Sequence, residues 1–202
     1  MKAEMDAAQR VELTVDGTAF VLEPADVKLK VAKKKITVET FIPHVVEPSF
    51  GVGRILTAIL EHAFYVRKDT SENRSVLKLP PSITPIKLAV LPLLAKEEQK
   101  AKALEIEHAC SRRYILCKTD YTGVAIGKKY ARVDEAGIPF AVTIDHQTLQ
   151  DATVTLRERD SMKQIRVPQE KVLDLVLDLT SLHPTVTFEE LMKTYPVVAS
   201  QE

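Results

Sequence analysis

The feature that most limits the fold is an alternation in the second half of the chain. Short apolar runs there are separated by longer stretches with apolar residues at helical spacing. Strands that alternate with helices favour a mixed β-sheet with helices packed against it. We therefore predict an α/β domain whose mixed sheet is flanked by helices. The predicted strands are 86–93, 114–118, 138–144, 152–158 and 162–167, and the predicted helices are 96–111, a part of 123–136, 168–179 and 187–194.

The first half of the chain has a different pattern. Asp16-Gly17 lies between alternating apolar residues and predicts a β-hairpin. Similar alternation over 27–40 extends this to a small antiparallel meander, which we interpret as part of an antiparallel-sheet domain. From Arg54 the apolar residues recur at helical spacing nearly all round, which predicts a buried helix.

A proline-rich stretch separates the two patterns. Prolines block helix formation and keep their neighbours extended, and three of them, Pro80, Pro81 and Pro85, fall within residues 79–85. We therefore predict two domains, residues 1–78 and 86–202, with a linker at 79–85.

Composition limits the function classes. Lys plus Arg and Asp plus Glu both count 28, so a phosphate-binding surface would need local clustering of charge. No apolar run reaches the roughly 20 residues of a membrane span. Cys110 and Cys117 form no CxxC pair, which predicts reduced thiols and no zinc site. The histidines show no HExxH spacing, so no metal site is predicted.

The stretch Glu47-Pro48-Ser49-Phe50-Gly51-Val52-Gly53-Arg54 carries the strongest chemical pattern. In a strand, Glu47 and Ser49 share one face. Gly51 and Gly53 leave the backbone bare where the chain turns into a helix, and Arg54 projects from its first turn. A carboxylate suits an ammonium group, and a guanidinium suits a base or phosphate oxygens. The pattern indicates a pocket for an amino acid beside a nucleotide.

The glycine pair has a simpler reading as well. Two glycines before a helix are often only a tight turn. The stretch is not a P-loop, which needs GxxxxGK followed by Ser or Thr, and it lacks the third glycine of the dinucleotide fingerprint.

EPSFGVGR followed by an apolar helix resembles motif 3 of the class II aminoacyl-tRNA synthetases, in the form of the eukaryotic and archaeal glycyl-tRNA synthetases. TFIPHVVEPSF resembles the segment that precedes this motif. RSVLKLPPSITPIKLAVLPL resembles the crossing into that family's anticodon-binding domain, and GKKYARVDEAGIPFAVTID and TVTLRERDSMKQIRV resemble the domain itself. The resemblance covers nearly the whole chain.

The resemblance implies a role for each residue of the motif. Glu47 would bind the ammonium of glycine, Ser49 would line the glycine pocket, and Arg54 would pack on adenine, while Gly51 and Gly53 leave room for ATP. It implies ATP-dependent attachment of glycine to tRNA(Gly) through glycyl-adenylate.

The resemblance also implies a metal ion, an oligomeric state and a cellular location. Mg²⁺ would accompany ATP, with ligands mostly outside this chain. We find neither motif 1 nor motif 2, so the chain alone is expected to be inactive. At full length the resemblance implies a homodimer, cytoplasmic or in a mitochondrial form, without membrane contact.

The second domain has basic clusters suited to single-stranded RNA, with Tyr121 and Tyr130 as possible stacking partners. Each basic residue could instead form an ion pair, as Arg166 could with Glu170. Asp134 could pair with Arg132 or read a base edge. The candidate tRNA-binding residues are Lys128, Lys129, Arg132, Arg157, Arg159 and Lys163.

Two other functions stay open from the sequence. One is a non-catalytic RNA-binding module with the same fold, and the other is an interaction domain without RNA. EPSFGVGR favours the enzyme, because a binding module has no need of a carboxylate, a hydroxyl and a guanidinium beside bare glycines.

Overall fold

The computed structural model describes residues 10–23, 25, 27–28, 30, 32–68 and 74–199. The chain forms two compact units, residues 1–49 and residues 50–202.

Among its described residues, the smaller unit contains a β-hairpin. Strands β1 (Val11–Val15) and β2 (Thr18–Leu22) pair antiparallel. Asp16 and Gly17 have φ of 50° and 79°, as a two-residue type I′ turn requires, so the predicted hairpin is confirmed. The rest of the predicted meander is not observed: the described residues between 27 and 40 lie in no strand, and Leu29 and Val31 fall outside the described residues.

The larger unit begins with helix α1 (Val52–Ala63), which the sequence pattern predicted. A hairpin of β3 (Phe64–Arg67) and β4 (Arg74–Leu77) follows the helix, and the sequence pattern did not predict this hairpin.

The predicted burial of helix α1 is wrong. Leu56 is 54% exposed, and Ala63 alone is buried in this fully described helix. A helix of 12 residues that is apolar nearly all round still needs neighbours to cover it, and the described chain covers one end only.

A six-stranded mixed sheet with flanking helices forms the body of this unit and confirms the predicted fold class. The strand order is β10–β9–β8–β7–β5–β6; β5, β6 and β7 are parallel, and β7 to β10 pair antiparallel. In chain order the elements are β5 (Leu88–Pro92), α2 (Glu97–Arg112), β6 (Cys117–Thr119), α3 (Ile126–Glu135), β7 (Phe140–Ile144), α4 (His146–Asp151), β8 (Thr153–Glu158), β9 (Gln164–Pro168), α5 (Gln169–Leu179), α6 (Phe188–Thr194) and β10 (Val197–Val198).

The central strand β5 is buried on both faces. Leu88 and Val90 join the larger core with α2 and α5, whereas Ala89 and Leu91 join a smaller core with α3. Successive side chains of a strand point to opposite faces, so one continuous apolar run serves both cores. The two helices that flank β6 in sequence therefore cover opposite faces of the sheet.

The predicted linker does not separate the compact units, which divide between Ser49 and Phe50. Thr84 N–H bonds the carbonyl of Pro80 at 3.2 Å, and Lys87 Nζ donates to the carbonyls of Pro81 and Ser82 at 2.7 and 2.9 Å, so the stretch is an ordered turn. Within the described ranges, no helix combines the length and apolar character needed to cross a bilayer.

The β3–β4 hairpin packs on the sheet domain through a glycine. Gly137, at φ 76° just beyond α3, ends the helix in the left-handed conformation. A Cβ there would lie 3.2 Å from the carbonyl oxygen of Leu77. Gly137 therefore has two roles: it adopts the left-handed conformation that ends α3, and its lack of a side chain lets β4 pack closely against it.

Candidate nucleic-acid interface

A cavity of about 480 Å³ opens at the carboxyl ends of the parallel strands β5 and β6. Ligands of open α/β sheets bind characteristically at this edge. Apolar side chains of Leu91, Val133 and Ile138 line it together with polar groups of Asp120 and Arg132. Its size falls in the range of small-molecule and base pockets.

Asp120 and Arg132 face each other across the polar side of the cavity. Arg132 Nη1 donates to Asp120 Oδ2 at 3.1 Å, and the backbone N–H of Thr122 donates to Asp120 Oδ1 at 2.9 Å. Burial raises the pKa of Asp120, but the hydrogen bonds from Thr122 and Arg132 outweigh it and hold the pKa below its ordinary value. The cavity therefore offers an ionised acceptor beside a guanidinium that is half exposed.

Tyr121 also lines the cavity. Its hydroxyl and that of Thr119 both donate to Glu107 Oε2 at 2.9 Å. Burial and the Glu107 carboxylate raise the pKa of Tyr121, so the phenol stays neutral. The residue remains 39% exposed, which leaves ring surface for a stacked base. Its predicted stacking role stays a prediction.

Lys129 supports this edge from inside. Its side chain is buried, with Nζ donating to the carbonyls of Pro92 at 2.7 Å and Asp120 at 3.1 Å. Burial lowers the pKa of Lys129. The ammonium joins the end of β5 to the loop after β6, and this burial contradicts the predicted contact of Lys129 with RNA.

Arg157 is buried as well. Its Nη1 and Nη2 donate to Asp134 Oδ1 and Oδ2 at 2.9 and 3.2 Å, and Arg67 Nη1 donates to Asp134 Oδ2 at 3.1 Å. The guanidinium lies 4.4 Å from the centre of the Tyr130 ring, whose hydroxyl shares a 2.7 Å hydrogen bond with Thr143. Arg157, Tyr130 and Asp134 are all at most 2% exposed, so predicted contacts of these residues with RNA are contradicted.

Arg159 is buried too. Its Nη1 donates to the carbonyls of Leu77 and Gly137 at 3.0 and 2.8 Å, and its Nη2 donates to the carbonyl of Leu79 at 2.9 Å. Asp160 accepts from Nε at 2.8 Å. The side chain is 2% exposed and ties the β3–β4 hairpin to the domain, which again contradicts RNA contact.

The remaining candidates are exposed. Arg132 borders the cavity, and Lys128 lies on the same helix α3. Lys163 lies in the turn between β8 and β9 and is not one of the residues that line the cavity. Lys118 and Asp120 also line the cavity but were not among the predicted residues. Lys118 ends a predicted strand and Asp120 lies two residues beyond it, and this place at the carboxyl end of a strand was the signal that could have found them.

The start of α1 has open backbone. Gly51 caps the helix with its carbonyl accepting from Ile55 N–H at 3.0 Å. A Cβ on Gly53 would meet nothing within 4 Å, and Arg54 is exposed in the first turn. Another group therefore has room to approach the backbone at Gly53, whereas the predicted place of ATP there stays a prediction.

Glu47 and Ser49 lie in an exposed stretch of the smaller unit, outside the strands that the structure describes. Gly51, Gly53 and Arg54 belong to the larger unit. Their common pocket for glycine and ATP therefore stays a prediction. Across the described ranges, no three His, Cys, Asp or Glu side chains gather as a metal site.

Comparison with known proteins defines the class first. Residues 87–179 match the family described as the anticodon binding domain. The match takes in strands β5 to β9, helices α2 to α5 and the residues that line the cavity, so this part of the chain is an anticodon-binding domain by its sequence pattern.

More specific relatives match along nearly the whole chain. The chain is 41% identical over 171 residues to the glycine–tRNA ligase of Methanothrix thermoacetophila, covering 85% of this chain and 30% of the relative. It is 40% identical over 203 residues to that of Bombyx mori, covering 100% and 27%. For Methanocaldococcus jannaschii the values are 43% over 165 residues, 82% and 28%. Along nearly its whole length the chain is similar to the C-terminal part of these glycine–tRNA ligases, and it spans less than a third of their length.

Among solved structures, a prolyl-tRNA synthetase from Cryptosporidium parvum, complexed with L-proline and AMP, aligns with 52% of this chain and 23% of its own. The TM-score is 0.47 and the identity 21%, a likeness too weak to bear on function.

Proposed function

We propose that this chain is part of a glycine–tRNA ligase, in which residues 86–202 bind the anticodon loop of tRNA(Gly) and residues 47–54 complete the pocket for glycine and ATP. The observation that carries the proposal is the identity of about 40% along nearly the whole chain to glycine–tRNA ligases of archaea and animals. The stretch EPSFGVGR lies inside the alignment that spans all of this chain.

The cavity above β5 and β6 suits an unstacked base of the anticodon loop. Tyr121 supplies an aromatic face, Arg132 a cation for a base or phosphate, and Asp120 an ionised acceptor for a base N–H. Lys118 and Lys128 are exposed nearby in sequence and add positive charge for the RNA backbone. Buried Lys129 acts as a positioning residue, because it holds the carbonyls of Pro92 and Asp120.

In the proposed reaction, a carboxylate oxygen of glycine attacks the α-phosphorus of ATP and pyrophosphate leaves. A hydroxyl of the terminal tRNA ribose then attacks the glycyl carbonyl, and AMP leaves. Glu47 would hold the glycine ammonium by charge-assisted hydrogen bonds, Ser49 would line the pocket, and Arg54 would pack on adenine. Gly51 and Gly53 would admit ATP.

Mg²⁺ would neutralise the phosphates of ATP when bound, and we assign it no ligand in this chain. We further propose a homodimer for the full-length enzyme and a cytoplasmic location. A mitochondrial form is the alternative, because a relative that is 41% identical over 182 residues is named as mitochondrial in Saccharomyces cerevisiae.

The RNA part is tested by filter binding of the purified chain to a tRNA(Gly) transcript and to a non-cognate tRNA. Tighter binding of tRNA(Gly) is expected. Arg132→Ala should weaken it about 5- to 10-fold, the loss of one charged contact, and should reduce the slope of affinity against salt by about one. Lys193→Ala, an exposed change on α6, is the matched control. Equal affinity of Arg132→Ala and this control would remove the cavity from the RNA site.

The catalytic part is tested in a chimera, in which this chain replaces the aligned segment of the Bombyx mori relative. Glycine-dependent exchange of pyrophosphate into ATP is expected for the chimera. Its Glu47→Gln variant should lose the exchange while it still binds tRNA(Gly). An active variant would remove Glu47 from the glycine pocket, and a folded but inactive chimera that binds tRNA would favour the non-catalytic RNA-binding module.

A further inference from the structure

The two cysteines lie at the two ends of one tight turn. Cys110 is in the last turn of α2 and Cys117 begins β6. The N–H of Ile115 bonds the carbonyl of Cys110 at 3.0 Å, and the N–H of Tyr114 bonds that of Ser111 at 3.1 Å. These are the paired bonds of a Schellman motif, with Tyr114 in the left-handed conformation at φ 56°. The motif folds the chain back so that β6 starts beside the helix.

The turn brings the two cysteines to one core. The Cys110 thiol is fully buried in the larger core, and Cys117 packs against that same core from the start of β6. A disulfide needs Cβ atoms about 3.5–4.5 Å apart, so two cysteines at the ends of one tight turn that pack in one core are placed for such a bond. Both cysteines are free in the structure.

The two thiols differ in reactivity. Cys117 is half-buried and lines an open cleft of about 360 Å³ with Ser111 and Leu116, so a small oxidant can reach it. A hydrogen bond from Cys110 lowers the pKa of Cys117, although burial and the Glu107 carboxylate act in the opposite direction. The thiolate is the reactive form of cysteine. That same hydrogen bond and burial raise the pKa of Cys110, which keeps it a protonated, inaccessible partner.

We propose that Cys110 and Cys117 form a dithiol site that a peroxide converts reversibly to a disulfide. The Cys117 thiolate attacks a peroxide oxygen, the O–O bond breaks, and the leaving hydroxide takes a proton to become water. The resulting sulfenic acid is attacked by Cys110, whose proton joins the departing hydroxide as a second water while the S–S bond forms. Two thiols are oxidised and one peroxide is reduced to two waters.

This site is independent of the proposed function, because it needs neither tRNA nor ATP. Its position next to the hydrogen bonds of Glu107 with Thr119 and Tyr121 places it one residue along β6 from the residues that line the cavity.

The test treats the purified chain with hydrogen peroxide, blocks free thiols, and digests it with trypsin without reductant. Mass spectrometry should then find peptide 103–112 joined to peptide 114–118, with the free peptides lost, and dithiothreitol should restore them. A mixture of unlabelled and ¹⁵N-labelled chains separates linkage within a chain from linkage between chains. Cys117 oxidised to sulfinic or sulfonic acid without linkage, or links of mixed label, would overturn the proposal.

Two variants assign the roles. In Cys110→Ala, dimedone should trap Cys117 as sulfenic acid and no linked peptide should appear. In Cys117→Ala, Cys110 should stay unoxidised while the circular dichroism spectrum shows the chain folded. Oxidation of Cys110 in that folded variant would contradict the assignment of Cys117 as the attacking thiol.

Discussion

At the scale of single residues, buried charge is concentrated on Asp134. Three hydrogen bonds from Arg157 and Arg67 reach this carboxylate, and all three side chains are at most 5% exposed. Transferring ions out of water costs free energy, and the attraction between the paired charges offsets this desolvation penalty only while each charge keeps its partner. These arginines therefore hold the fold together and are not available to a ligand.

Asp134→Ala should lower the free energy of unfolding by about 3–5 kcal/mol, because it leaves two guanidinium groups buried without their carboxylate. Urea denaturation followed by circular dichroism measures the change. Its neighbour Glu135 is exposed, so Glu135→Ala should stay within about 0.5 kcal/mol of the parent chain. Similar losses in the free energy of unfolding for the two variants would show that the buried ion pairs of Asp134 do not stabilise the fold more than an exposed carboxylate does.

A second residue-scale prediction concerns acid stability. Burial raises the pKa of Asp145, but the hydrogen bonds from Arg166 and from the backbone of Thr148 outweigh it, so the folded pKa lies below the ordinary value. A carboxylate with a depressed folded pKa contributes stability above its unfolded pKa of about 3.9, and that stability is lost as pH falls through the folded pKa.

Asp145→Asn should therefore reduce stability near neutral pH and flatten the fall of stability below about pH 4. Urea midpoints measured from pH 7 down to pH 3 give the slope for each chain. Glu61→Gln changes an exposed carboxylate on α1 and should leave the slope as it is in the parent chain. A parent-like slope in Asp145→Asn would exclude the ion pair with Arg166 as its cause.

At the scale of elements, the ends of helices decide where the chain reverses. α3 ends at Gly137 and α2 ends through Tyr114, both in the left-handed conformation. Glycine adopts this conformation without strain, whereas a side chain with a Cβ is penalised by about 1–2 kcal/mol. Tyr114 is 96% exposed, so contacts of its ring do not offset that penalty.

Tyr114→Gly should raise the free energy of unfolding by about 0.5–1 kcal/mol, since relief of strain exceeds the added entropy of the unfolded chain. Thermal and urea unfolding measure the gain. Leu116→Gly, in the same exposed turn, relieves no such strain and should destabilise the chain. A loss of stability in Tyr114→Gly would contradict this account of the turn.

At the scale of the whole molecule, the β3–β4 hairpin belongs to the compact unit of the anticodon-binding domain. Arg159 reaches the carbonyls of Leu77 and Leu79, and Arg67 reaches Asp134. These bonds cross the stretch that the prolines marked as a linker.

A fragment of residues 50–202 should accordingly unfold as one cooperative unit with the midpoint of the full chain. A fragment of residues 86–202 should be less stable by several kcal/mol, because Asp134 loses Arg67 and Arg159 loses two acceptors. Urea denaturation of both fragments measures the difference. Equal midpoints would restore the boundary at 79–85.

Local signals in the sequence were sufficient for most elements. The capping box of Thr187 and Glu190 starts α6, and Asp16-Gly17 closes the first hairpin. Apolar period and helix caps depend on neighbours a few residues away, so a single sequence states them. The six-residue helix α4 and the two-residue strand β10 were missed, because such short elements form through contacts with β7, β8 and β9.

What the sequence by itself determined is the sheet with its helices and the similarity to glycine–tRNA ligases, whereas the role of residues 47–54 stays a prediction. Only the tertiary structure decided which charges face water. Arg157 and Arg159 look like RNA-binding residues, yet their partners lie 23 and up to 82 residues away in the chain. A basic side chain is buried or exposed according to whether folding brings it a carboxylate or carbonyl, and no local pattern contains that information.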